Sequence, residues 1–269
     1  MKQLRLDKYL SDMSVETRSR LKQMIRYGQV SVNGVPARKP EMKVTPGEDT
    51  VTVRGEEIVY REREYYMLYK PAGVVTAVTD RKEKTVMDLL PGVRRSDLSP
   101  VGRLDRDTEG LLLITNDGGL SHRLLSPKHH VEKVYYAEIE GEVTEEDCLA
   151  FREGLDIGDE TLTLPAKLEI LPDDPSEQSG AEAAFQSEQG DDGEECESRS
   201  AEPKSRVKVT VTEGRFHQIK RMFEARQKRV AYLKRLSMGP LVLDESLKKG
   251  EWRRLTPEET AVLTGGGKE

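Results

Sequence analysis

The sequence predicts an α+β protein, a small basic N-terminal unit followed by a larger, mixed and mostly antiparallel body. Three observations carry this. Candidate strands outnumber candidate crossover helices, which disfavours a doubly wound parallel sheet. Ten Lys/Arg stand against four Asp/Glu in residues 1–43. A single acidic segment interrupts an otherwise patterned chain of 269 residues.

In the N-terminal unit, residues 1–60, Ser14 reads as the N-cap of a helix through Arg26, with Leu21, Met24 and Ile25 at core spacing. Arg18, Lys22 and Arg26 recur every fourth residue and form a basic stripe beside that apolar face. Gly28 stands at a helix C-cap position, and Val30-Ser31-Val32 runs into the hairpin pair Asn33-Gly34. Val51-Thr52-Val53 closes a small sheet.

The body, residues 61–269, predicts strands at Tyr65–Tyr69, Val74–Val78, Leu111–Thr115, Val134–Ile139, Leu168–Leu171 and Val207–Val211. Helices are expected at Val86–Leu90, Leu120–Leu125, Glu145–Arg152, Phe216–Ala225 and Pro257–Val262. Residues 172–202 hold eleven acids and one base, so this segment contributes −10 to a net charge of −6 and leaves +4 for the rest. With almost no apolar residues it cannot offset its ordering entropy by burial. Because a strand pattern resumes after it, residues 172–203 are read as a disordered acidic insertion, passive rather than a domain boundary. Such a loop is tolerated because closure cost grows only logarithmically with length.

No apolar run is long enough for a membrane span, and MKQLRLDKYL lacks the features of a secretory signal. Two cysteines, Cys148 and Cys196, exclude a disulfide framework and a four-cysteine metal site. His129 and His130 lack a spaced ligand set, so no metal is expected. These features describe a cytoplasmic chain with no cofactor and no membrane partner, expected to be a monomer.

The chemistry is concentrated in GRLDRDTEGLLLITNDG, residues 102–118. A glycine enters, a charged segment follows, and an apolar strand begins at Leu111, so Asp105 sits on a loop held by a buried strand. Asp107 and Asp117 read as ordinary turn or capping acids. Three further segments accompany it: MLYKPAGVV from Met67, SPKHHVEKVY from Ser126 and EGRFHQIKRM from Glu213.

Together and in this order these segments resemble the pseudouridine synthases, in particular the branch acting on bacterial small-subunit rRNA (RsuA-type). Residues 1–60 resemble the small RNA-binding module first known from a ribosomal protein of the small subunit (S-four type). The resemblance implies Asp105 as catalytic carboxylate, Tyr135 as the aromatic that stacks on the target base, Lys220 as the cation pairing with the aspartate, and Arg103 as the residue entering the RNA stack. It implies 16S rRNA as partner, in an assembling small subunit, with a target equivalent to position 516 in the usual bacterial numbering. Breaking the ribose–N1 bond, rotating the base and joining ribose to C5 needs no redox change and no group donor, in accord with the lack of a cofactor motif.

Arg5, Lys8, Arg18, Lys22 and Arg26 are candidate RNA contacts of the N-terminal unit. Arg215, His217 and Arg221 are candidates at the start of a helix, where phosphate binding is favoured. Lys133 reads as a phosphate contact or solvated charge, and Trp252 and Phe223 as core. Lys220 replaces an arginine common in related synthases, and Tyr69 an asparagine. Two other readings stay open: a synthase of the same fold acting on 23S rRNA, and a non-catalytic RNA-binding assembly factor.

Overall fold

The computed structural model describes residues 3–93, 95, 97–172 and 204–265. In the N-terminal unit β1 (Leu4–Arg5) leads into α1 (Leu6–Asp12) and α2 (Arg18–Arg26). There follow β2 (Val30–Val32), β3 (Val35–Pro36), β4 (Lys43–Val44), β5 (Val51–Val53) and β6 (Glu56–Glu57). Strands β3-β2-β5-β6 form one antiparallel sheet, and β1 pairs with β4. The core draws on both helices and the sheet: Leu6, Leu10, Leu21, Ile25, Val30 and Val51 are all at most 1% exposed.

The cap of α2 is Thr17, whose hydroxyl accepts from the Arg20 backbone N–H, and not Ser14. Ser14 takes a positive φ of 47° in the turn between the helices. Helix α1 was not anticipated, although Leu6, Tyr9 and Leu10 carry its i, i+3, i+4 spacing.

The body contains β7 (Tyr65–Lys70), β8 (Ser99–Pro100), β9 (Glu109–Thr115), α3 (Gly118–Leu125), β10 (Lys133–Glu140) and α4 (Glu145–Glu153). Then come β11 (Lys167–Ile170), β12 (Lys204–Val211), α5 (Gln218–Glu224), β13 (Arg229–Met238), β14 (Leu241–Val242), β15 (Trp252–Arg254) and α6 (Pro257–Thr264). Among the described residues they build a nine-stranded sheet with the main order β11-β12-β10-β13-β9-β7-β15. Every pairing is antiparallel except β13 with β9. The α+β expectation is met.

One core runs along one face of the sheet from β12 to β7, and a second covers the other face at β7 and β9. Phe151 of α4 and Phe223 of α5 lie 4.9 Å apart, ring to ring, on the core that includes Tyr135, Ala137 and Val209. Leu120 and Leu124 of α3 and Leu263 of α6 pack instead with Met67, Leu111 and Leu113. All seven residues of β9 are buried, whereas β10 alternates and turns Lys133, Tyr135, Ala137 and Ile139 inward.

Two local expectations are corrected. Residues 74–78 are not a strand; only Val75 makes an isolated bridge, to Thr85, because the chain there turns to brace the Asp105 loop. Val86–Leu89 is a single 3₁₀ turn closed by a capping box between Thr85 and Asp88. From Asp173 onward the expected insertion lies outside the described residues. The strands that flank it, β11 and β12, are antiparallel neighbours, with Ile170 opposite Val207.

Buried Asp147 anchors α4. Burial raises its pKa, but the Thr144 backbone N–H at 3.0 Å, Arg226 at 2.8 Å and Lys228 at 2.9 Å outweigh this and hold it at about 2. Because the folded value lies below the ordinary one, this stability is present above pH ~4 and lost as pH falls toward 2. Asp147→Asn should therefore cost about 2 kcal/mol near neutrality, and its deficit against the parent should close toward pH 2. Urea unfolding at several pH values checks this; a deficit that does not vary with pH would contradict it.

Candidate active site

The loop carrying Asp105 is built from its backbone outward. Lys70, the last residue of β7, is fully buried, and its ammonium donates to four carbonyls: Pro71 at 3.0 Å, Asp105 at 3.0 Å, Arg106 at 3.2 Å and Thr108 at 2.9 Å. Burial draws the Lys70 pKa down to about 8, opposed by Asp107, Asp105 and Glu109 nearby. The Gly73 N–H donates to Arg106 O at 2.8 Å. Thr76 Oγ1 donates to Leu104 O at 2.7 Å and accepts from Leu104 N at 3.2 Å. The Lys-Pro-x-Gly turn therefore serves as a clasp on the Asp105 loop, a role its position in the sequence does not disclose.

Asp105 lies on the wall of a cavity of about 430 Å³ that is also lined by Arg103, Tyr135, His217 and Lys220. Three segments far apart in the chain supply these residues. The Asp105 carboxylate faces His217 Nε2 at 3.4 Å and Lys220 Nζ at 3.6 Å. Lys220 is nearer to Asp107, at 2.6 and 2.7 Å from its two oxygens. Asp107 is thus more than a turn residue, because it shares the lysine with Asp105. Tyr135 is 9% exposed on the inward face of β10, and Arg103 is exposed at the rim.

Helix α5 starts at Gln218, later than expected, because His217 adopts a left-handed conformation with φ 49°. That conformation sets the imidazole against Asp105 while Phe216, 69% exposed, stacks on it at 3.8 Å between ring centroids. Arg215 and Arg221 do not project from an open helix end. Arg215 bonds to Glu213 at 3.0 Å and to the Thr161 and Leu162 carbonyls, and Arg221 pairs with Asp159 at 2.6 Å and reaches Ile157 O. Their guanidinium groups fasten the 157–162 loop to the site. Lys133 is buried, not solvated. Tyr69 has a physical role, since Lys234 Nζ lies 4.9 Å from its ring centroid.

On the N-terminal unit Arg18, Lys22 and Arg26 are exposed, and none forms a salt bridge among the described residues. Arg5 and Lys8 are engaged by Asp7 and Asp12, each at 2.7 Å. Among the described residues no group of three or more His, Cys, Asp or Glu could hold a metal ion, and no helix is long and apolar enough to cross a membrane.

Comparison with known proteins shows the family of the chain. The RNA pseudouridylate synthase family profile matches residues 64–225, and the S4 domain profile matches residues 4–50. An uncharacterised RNA pseudouridine synthase of Bacillus subtilis is 41% identical, over 97% of this chain and 98% of its own. The ribosomal small subunit pseudouridine synthase A of Vibrio cholerae is 36% identical, over 97% of this chain and 99% of its own. A crystal structure of a pseudouridylate synthase superposes with a TM-score of 0.60 at 35% identity, covering 97% of this chain and 99% of that one. This chain, with its S4 domain and its Asp105 cavity, belongs to the RNA pseudouridine synthase family.

Proposed function

We propose that the protein isomerises one uridine of 16S rRNA to pseudouridine, at the position equivalent to 516, with Asp105 as catalytic carboxylate. The observation that carries this reading is the convergence of Asp105, Tyr135, Lys220 and Arg103 on one cavity from three separate segments. The target nucleotide must leave its stack, at a cost of a few kcal/mol. Arg103 at the rim fills the space it vacates, and Tyr135 receives the base. Asp105 then acts on the ribose while C1′ is transferred from N1 to C5. Lys220 and His217 hold the carboxylate in place, and Asp107 orients Lys220. The small-subunit assignment rests on full-length similarity to enzymes named for that subunit.

The exposed stripe of α2 holds RNA backbone, which carries little sequence information but releases counterions. Neutralising Arg18, Lys22 and Arg26 together should flatten the salt dependence of binding by about 0.7 per lost contact for single-stranded RNA, without moving the modified site. Filter binding across a salt series and modification mapping read both. An unchanged slope, or a shifted site, would overturn this division of labour.

Mapping pseudouridines in 16S and 23S rRNA of a deletion strain tests the substrate. The expected result is loss of one 16S pseudouridine, restored by the intact gene. Loss confined to 23S rRNA would move the substrate to the large subunit, and no loss in either would refute the rRNA assignment.

A further inference from the structure

Two of the side chains that the sheet turns inward beside Tyr135 are cations. Lys133 is 6% exposed, and Arg235, opposite Tyr135 on β13, is 2% exposed. Both line the cavity that holds Asp105. A buried cation ordinarily has a carboxylate partner, since desolvation alone costs several kcal/mol. Among the described residues neither of these has one. Lys133 donates to Val131 O at 2.9 Å, and Arg235 Nε donates to Leu111 O at 2.7 Å. Arg235 Nη2 is buried with no hydrogen-bond partner among the described residues.

The acids of the same wall are committed elsewhere. Asp105 faces Lys220 and His217, while Glu213 accepts from Arg215, Gln218 and the Leu164 backbone. Burial lowers the Lys133 pKa and Arg235 lowers it further, as expected of two like charges facing the same space. The protein thus keeps an uncompensated positive field at the floor of its reaction cavity. Side chains two apart on one strand face are about 7 Å from each other. Lys133 and Tyr135 share that spacing, so a base resting on Tyr135 lies over the cationic pair.

We propose that Lys133 and Arg235 form a cationic floor that stabilises negative charge on the target uracil while it is detached from ribose. This rests on the isomerisation proposed above. When the C1′–N1 bond breaks, its electron pair stays with the base, so the uracil is anionic. The base turns, C5 donates a pair to C1′, the C5 proton is lost and N1 gains a proton. Atoms and electrons balance with no oxidant or reductant. A pre-oriented field in a water-poor cavity stabilises such transient charge more than it does the neutral substrate.

The test uses Lys133→Met, with Lys133→Gln as a second neutral variant, in the full-length protein. Under saturating enzyme on a 16S transcript, the single-turnover rate should fall about 100-fold while Kd stays within about threefold. The thermal midpoint should stay level or rise, because a costly buried charge is removed. With 5-fluorouridine at the target position, whose base accepts negative charge more readily, the variant's deficit in consuming that nucleoside should shrink. A rate within threefold of the parent, or a deficit unchanged by the fluorine, would overturn the proposal. Lost affinity with an unaltered saturated rate would assign the pair to an RNA phosphate instead. Failure of the isomerisation reading itself would show in the unmodified protein, which would then form no pseudouridine.

Discussion

Asp105→Asn is expected to lower pseudouridine formation by about 10⁴-fold or more while RNA affinity stays within a few fold. The substitution preserves size and removes the charge and the carboxylate oxygen on which the proposed chemistry depends. The fold gives little reason for collateral damage. The loop is held through its carbonyls by Lys70 and through Leu104 by Thr76, not through the Asp105 side chain. The side chain's own ion-pair contacts, at 3.4 and 3.6 Å, contribute little to stability. The thermal midpoint should therefore match the parent, and single-turnover assays on saturating enzyme should isolate the chemical step. A variant turning over within tenfold of the parent would remove Asp105 from the mechanism.

Gly110→Ala should be the most damaging small substitution in the body, costing about 4 kcal/mol or more. Gly110 has φ +105°, and a Cβ there would stand 2.2 Å from Arg235 O and 2.6 Å from Arg235 N. Those are backbone atoms of β13 at the only parallel pairing among the described strands, where Arg235 lies opposite Gly110. Relief requires the two strands to part, which would shift Arg235 away from the cavity floor and loosen the start of β9 behind Asp105. Gly250→Ala is the control: its φ is +89°, but nothing lies within 4 Å of the added carbon. It should cost only the backbone strain, about 1–2 kcal/mol. Urea midpoints that fall equally for both variants would show that close approach is not what Gly110 supplies.

Much of this architecture was legible because it is local. The strand β10, the hairpin at Asn33-Gly34, the apolar spacing of α2 and the helices α4 and α6 are written in short windows. Residues 74–78 misled because a β-branched run reads as a strand, whereas their backbone is used to brace another loop. Ser14 misled because Ser and Thr both cap helices, and only the turn after α1 decides which is in place.

The α+β class, the acidic segment with its charge of −10, and the motifs that bring Asp105, Tyr135, Lys220 and Arg103 into consideration are all readable from the residues in order along the chain. What those residues meet is set by contacts between distant parts of the chain. Lys70, unremarkable as one basic residue before a proline, becomes a four-carbonyl clasp because β7 ends beneath the Asp105 loop. Arg215 and Arg221, basic and apparently free, are spent on the 157–162 loop. Lys133 and Arg235, 102 residues apart in number, share one buried wall because β10 and β13 pair in a register that turns both inward. Burial and charge compensation arise from long-range strand register, and no local window of sequence contains that information.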